Sequence, residues 1–165
     1  MNNAEAQLGS WFLGEFEYTV DKQRRVAIPS NWRQNEAEDN HFFLLPGRDQ
    51  SLQLVPADTF LELLNRLRKV SFADSQASVA LATIGSMAQE CRCDKQGRIA
   101  MTRKLMEHAG INDKALLVGA VATAQIWNPE IWQNKRIDSE TGLDVIQKIQ
   151  ERGDDLGDAL RNVLR

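Results

Sequence analysis

The 165-residue chain is 42% hydrophobic, enough to pack a core, and its 20 Lys and Arg face 23 Asp and Glu for a net charge of −3. That balance argues against a polyanion binder, because phosphate affinity comes from cations that displace counterions. No apolar run reaches the roughly 18–20 residues of a membrane helix, and the polar start MNNAEAQLGS lacks the charged and apolar regions of a secretory signal, so a cytoplasmic protein with no membrane partner is expected.

After a polar leader over 1–11, Glu15 to Val20 mixes apolar and β-forming residues, Asp21 to Arg24 is a polar turn, and Arg25 to Ile28 resumes as a strand, which predicts a hairpin. Pro29 ends it, and Ser30 is placed to cap a short helix from Asn31 to about Glu36. Phe42 to Leu45 and Leu52 to Val55 are expected strands. From Asp58 to about Val70, Leu61, Leu64 and Leu67 recur at three-residue steps with Phe60 and Leu63 beside them, predicting a helix with one buried face. A connecting helix is expected from Asp74 to Ile84.

The order then repeats. Shifting the chain by 73 positions lays Asp21-Lys22-Gln23 on Asp94-Lys95-Gln96, Arg25 on Arg98, Val26 on Ile99, Ala27 on Ala100 and Pro56 on Pro129. The second half therefore predicts a hairpin from Met87 to Met101 around the turn Asp94 to Gly97. A helix capped by Thr102 and ended by Gly110 follows, with strands at Ala115 to Val118 and Ala124 to Trp127 and a helix opened by Pro129 and holding Trp132. Past Ile137, a stripe of Leu156, Ala159, Leu160, Val163 and Leu164 marks a tail for packing or assembly. The expected division is a leader (1–11), a first half (12–72), a connecting helix (73–84), a second half (85–137) and a helical tail (138–165).

Charge is concentrated at the two turns. Residues 21–33 carry +3 and residues 92–104 carry +4, leaving −10 on the rest of the chain. Each turn has the pattern Asp-Lys-x-x-Arg. An Asp that opens a tight turn accepts hydrogen bonds from backbone N–H groups two or three residues on, so Asp21 and Asp94 are expected to structure the tips, and Gly97 stands where such a turn needs a positive φ. Arg24 holds the matching place, so its turn must be either strained or built differently. Lys22, Arg24, Arg25, Lys95, Arg98 and Arg103 are the candidate DNA-binding residues, since a stiff two-stranded ribbon fits the major groove and arginine suits phosphate and guanine. The plainer reading is that each Asp pairs with the Arg of its own turn. Two matched occurrences flanked by extra cations favour DNA.

Other features point elsewhere or nowhere. Cys91 and Cys93 cannot staple a fold, are expected to stay reduced, and with distant His41 and His108 do not form a recognised zinc spacing, so no metal or cofactor is expected. Trp32, Trp127 and Trp132 lie beside apolar neighbours and are expected in the core or a subunit contact rather than against bases, and Trp11 is undecided. No nucleophile elbow, phosphate-binding glycine loop or metalloprotease helix is present, so an enzyme is not expected.

The stretch Phe12 to Pro29 resembles the opening of MraZ proteins, and Cys91 to Ile99 resembles their second copy. That resemblance implies an α+β fold of two AbrB-like swapped-hairpin halves forming a pseudo-twofold β-barrel with flanking helices, assembled into a homo-oligomeric ring. It also implies a nucleoid-associated repressor that binds double-stranded promoter DNA at short tandem repeats before the cell-division and cell-wall gene cluster. Arg24 in place of the usual glycine and Met101-Thr102 in place of the usual Ile-Pro depart from the family pattern. The rival reading is a protein-interaction or antitoxin-like module docking through the tail.

Overall fold

Alternating apolar residues set which strand faces turn inward. In the computed structural model, which describes residues 11–33, 40–69 and 73–152, Phe42 and Leu44 of β3 (His41–Pro46) and Leu52 and Leu54 of β4 (Leu52–Pro56) are buried. So are Ala115 and Leu117 of β7 (Lys114–Gly119) and Ala124 and Ile126 of β8 (Ala124–Trp127). With β1 (Glu15–Thr19) and β5 (Gln89–Arg92) they form a six-stranded antiparallel sheet in the order β1-β7-β8-β4-β3-β5. A separate two-stranded sheet joins β2 (Arg25–Ala27) to β6 (Arg98–Ala100).

That pairing corrects the local hairpins expected from sequence. β1 turns at Asp21 into β2 but does not form a ladder with it. Instead β1 lies on β7, β5 lies on β3, and β2 and β6 pair with each other. The exchange obeys the repeat: Phe16 opposite Leu117 corresponds, after the 73-residue shift, to Gln89 opposite Leu44, and the register of β2 on β6 maps onto itself. Val26 and Ile99 face each other there with no exposure, so each half buries its central side chain against the other. The fold is α+β, with strands of the two halves interleaved.

The helices follow their local signals. Thr102 Oγ1 accepts from Leu105 N (3.3 Å) to start a helix at Arg103–Ala109, and Gly110 ends it at φ 62°. Asp74 caps the helix Ser75–Gly85 by accepting from Ala77 N (3.0 Å). In chain order the helices are α1 (Ala57–Leu67), α2 (Ser75–Gly85), α3 (Arg103–Ala109), α4 (Pro129–Lys135) and α5 (Ser139–Arg152). The buried face expected of α1 is narrower than its leucine spacing suggested: Phe60 is buried against Phe43, while Leu61 and Leu63 are exposed. In place of the short helix after Pro29 there is a single 3-10 turn at Ser30–Trp32, and Ser30 makes no side-chain capping bond; Pro29 holds the cap position. The remainder of that expected helix lies outside the described residues.

The chain divides into two compact units, 1–132 and 133–165. In the second, Asp138 caps α5 by accepting from Thr141 N (2.9 Å) and Thr141 Oγ1 (2.8 Å), which hold its carboxyl below the usual range. The apolar stripe from Leu156 to Leu164 lies outside the described residues. Among those described, no helix is long and apolar enough to cross a membrane.

Candidate nucleic-acid interface

The two turns are built to one plan. Asp21 Oδ1 accepts from Gln23 N and Arg25 N, both at 2.9 Å, and Asp94 Oδ1 accepts from Gln96 N and Arg98 N, both at 2.9 Å. The bonds run two and four residues ahead, one position beyond the reach expected from an isolated Asx turn. Each turn closes with a backbone pair, Arg24 N to Asp21 O (2.9 Å) and Gly97 N to Asp94 O (3.0 Å). The same left-handed backbone follows in both: φ is 75° at Gly97 and 59° at Arg24. The first turn is therefore strained rather than rebuilt, a conformation that costs a non-glycine residue about 1–2 kcal/mol.

Each aspartate then reaches its own arginine. Arg25 Nε donates to Asp21 Oδ2 at 2.7 Å, and Arg98 Nε donates to Asp94 Oδ2 at 2.9 Å. These pairs do not stay separate. Arg98 Nη1 lies 3.6 Å from Asp21 Oδ2 and Arg25 Nη1 lies 4.0 Å from Asp94 Oδ2, so the two turns stand side by side around a neutral group of two arginines and two aspartates. All four side chains are half-buried, with 27–34% exposure.

The carboxyls respond to this frame. The Arg25 N–H holds Asp21 below the usual carboxylate range, helped by the Arg25 guanidinium. At Asp94 the largest single influence is burial, which pushes the carboxyl up; the Arg98 N–H, the Arg98 guanidinium and the Gln96 N–H together outweigh it and bring the group below the usual range.

The remaining candidates surround this neutral centre. Lys22, Arg24, Lys95 and Arg103 are exposed, and among the described residues none of them makes an ion pair. Arg24 Nε donates to Met101 O (3.1 Å), which aims its guanidinium across the strand end toward the start of α3. Arg24 and Arg103 line one open surface groove with Met106. The six candidate cations thus fall into two sets. Arg25 and Arg98 each pair with the aspartate of their own turn, as the plainer reading held, and also reach across to the other turn, while the other four are exposed and make no ion pair among the described residues.

One residue was not singled out from sequence. The guanidinium of Arg33 lies against the α-carbon of Gly97, and its Nε donates to Ile28 O at 3.1 Å. Its sequence signal was its charge, counted in the basic segment 21–33.

The set-aside residues are placed by the core. Trp32 and Trp127 are buried, with Trp32 edge-on to Phe12 and Phe16; Trp132 packs on Trp127, and Trp11 is exposed. Cys91 and Cys93 are free and buried, and burial raises their thiols to about 12 and about 11, which keeps them protonated and unreactive at neutral pH. His41 Nε2 lies 2.7 Å from Glu90 Oε1, and His108 Nε2 lies 2.9 Å from Gly47 O.

The sequence model of the family described as "MraZ protein, putative antitoxin-like" matches residues 11–82 and 85–144, one segment on each repeat. Proteins named Transcriptional regulator MraZ are similar along most of the chain. That of Alkaliphilus oremlandii is 32% identical over 86% of this chain and 99% of its own length. That of Desulfitobacterium hafniense strain DCB-2 is 34% identical over 74% and 85%, and that of Caldicellulosiruptor saccharolyticus 31% over 86% and 98%. With both repeats matched and the doubled turn intact, the chain belongs to the MraZ family.

Proposed function

We propose that the chain is a sequence-specific transcriptional regulator that binds double-stranded DNA through the paired turns. The observation that carries this reading is the side-by-side placement of the two turns, with Lys22, Arg24, Lys95 and Arg103 exposed around a neutral centre and without an ion pair among the described residues. Cations held on a stiff frame lose little entropy when they meet phosphates, and they release condensed counterions from DNA. In this reading Arg25 and Arg98 set the spacing of the tips and use their remaining N–H groups on DNA. The relatives' names support the regulatory role.

The finer form of the reading is a nucleoid-associated repressor acting on short tandem repeats upstream of the cell-division and cell-wall genes, with copies of the chain arranged in a ring. Assembly resolves the charge problem, because several weak tips held at fixed spacing bind tandem sites through high effective concentration. Exposed Leu61 and Leu63 on α1, and Val79 and Ile84 on α2, offer apolar surface for such contacts.

The test is a gel shift on the DNA directly upstream of the chain's own coding region, at two salt concentrations. The wild type is expected to retard it, less so at higher salt. The Lys22→Ala/Lys95→Ala double variant is expected to lose retardation at the higher salt with an unchanged melting temperature. Retardation equal to wild type at both concentrations would overturn the proposal.

A further inference from the structure

The two turns differ at one position, and another residue fills the difference. Exchanging the halves carries Arg24 onto Gly97 and Met101 onto Ile28. The backbone bonds correspond: Met101 N donates to Arg24 O at 2.8 Å, and Ile28 N donates to Gly97 O at 2.9 Å. The next carbonyls also correspond. Met101 O accepts from the Nε of Arg24 at 3.1 Å, and Ile28 O accepts from the Nε of Arg33 at 3.1 Å. The Arg33 guanidinium occupies the space where a side chain on Gly97 would begin.

Beside Arg25 or Arg98, each tip thus carries one further guanidinium, bonded through Nε to the equivalent carbonyl. It comes from within the turn in the first half and from past the strand end in the second. The exchange is reciprocal, because the counterpart of Arg33 in the second half is Met106, an uncharged side chain in the groove beside Arg24. Arg33 is half-buried, and among the described residues it makes no ion pair.

We propose that Arg33 is a DNA-contacting residue of the second tip, standing in for the side chain that Gly97 lacks, so that both tips present a guanidinium to phosphate. This rests on the DNA-binding reading above. It adds a recognition residue from outside the Asp-Lys-x-x-Arg pattern and makes the two tips matched in charge although they differ in sequence.

The experiment measures affinity of the full chain for a short fluorescein-labelled random-sequence duplex as a function of salt, beside its thermal melting. Arg33→Gln keeps an amide donor for Ile28 O but removes the charge. The log–log salt slope is expected to fall by about 0.9 for each bound second tip, with the melting temperature unchanged. Arg33→Lys is expected to keep the wild-type slope. A wild-type slope in R33Q overturns the inference, as does equal weakening of R33Q and R33K with lowered melting, which would make Arg33 a prop for the strand end.

Should R33Q fail to fold, the R33M/G97R chain decides the matter by supplying the guanidinium from position 97 as the first tip does. A wild-type slope supports the inference, and a reduced slope overturns it. A wild type that binds no duplex at any salt removes the DNA-binding reading and this inference together; loss confined to the Arg33 comparisons removes this inference alone.

Discussion

The turn at Asp21–Arg25 and the turn at Asp94–Arg98 share every backbone bond that defines them, yet one has arginine and the other glycine at the left-handed position. Glycine is therefore not what makes this turn. The aspartate does, by collecting two N–H groups on one oxygen and its arginine on the other, and the chain follows into the left-handed region whether or not the residue there favours it. What differs is the source of the cation beside each turn: Arg24 supplies its own side chain, whereas Gly97 leaves room for Arg33.

The largest expected effect removes that common cause. Asp94 receives Nε and Nη2 of Arg98 at 2.9 Å and Nη1 of Arg25 at 4.0 Å, so Asp94→Ala releases two backbone donors, leaves Arg98 without its closest anion and removes the cross-contact to Arg25. Allowing for the exposure of the group, the loss is about 2 kcal/mol, read as a lower urea midpoint. Asp21→Ala is expected to lower the midpoint less, because Arg25 reaches Asp21 through Nε alone whereas Arg98 reaches Asp94 through two nitrogens. In the double variant the two losses are less than additive, since either one already unpins the pair. Additive losses would mean that the turns are independent and merely adjacent.

Substitution at the left-handed position separates the turns next. Gly97→Ala puts a Cβ at φ 75° into the Arg33 guanidinium, at a cost of about 1–2 kcal/mol in urea unfolding. Arg24→Gly relieves strain but gives up the bond to Met101 O, so its stability is expected within about 1 kcal/mol of wild type. Opposite rankings would show that the first turn is held by contacts of Arg24 rather than by Asp21.

Much of this was legible in the sequence. The eight strand segments, the Thr102 cap, the Gly110 stop and the doubled turn follow from alternation, side-chain acceptors and conformational preference, which are all local. Strand partners were not legible from such signals, because alternation says which way Val26 and Ile99 face but not that they face each other. The family resemblance supplied the swap. Leu61 and Leu63 misled for a related reason: helical spacing defines an apolar face, and what covers it is a property of the assembled fold. Arg33, next to a buried tryptophan and outside the repeat's pattern, carried no local sign that it lies beside Gly97.

Acid sharpens the comparison more gently. Both aspartates are held below the ordinary range, so the stability they contribute is fully present above the unfolded carboxylate value of about 3.9 and is lost as pH falls through their lowered folded values. Urea midpoints of the wild type and the Asp21→Asn/Asp94→Asn variant should therefore converge below about pH 4. A constant gap from neutral pH to pH 3 would place the effect of the substitution in packing, not in charge.

The smallest effect asks whether both turns touch DNA at once. Lys22 and Lys95 are exposed, matched by the repeat and unpaired among the described residues, so each removes about one phosphate contact if both tips are engaged. Lys22→Ala and Lys95→Ala should then lower the salt slope equally, by about 0.9 per engaged tip, and the double variant by the sum. If only one turn enters the groove, one variant keeps the wild-type slope and the other accounts for the whole change. The Arg25–Asp94 and Arg98–Asp21 contacts favour equality, because they hold the two lysine-bearing turns on one shared frame rather than on separate arms.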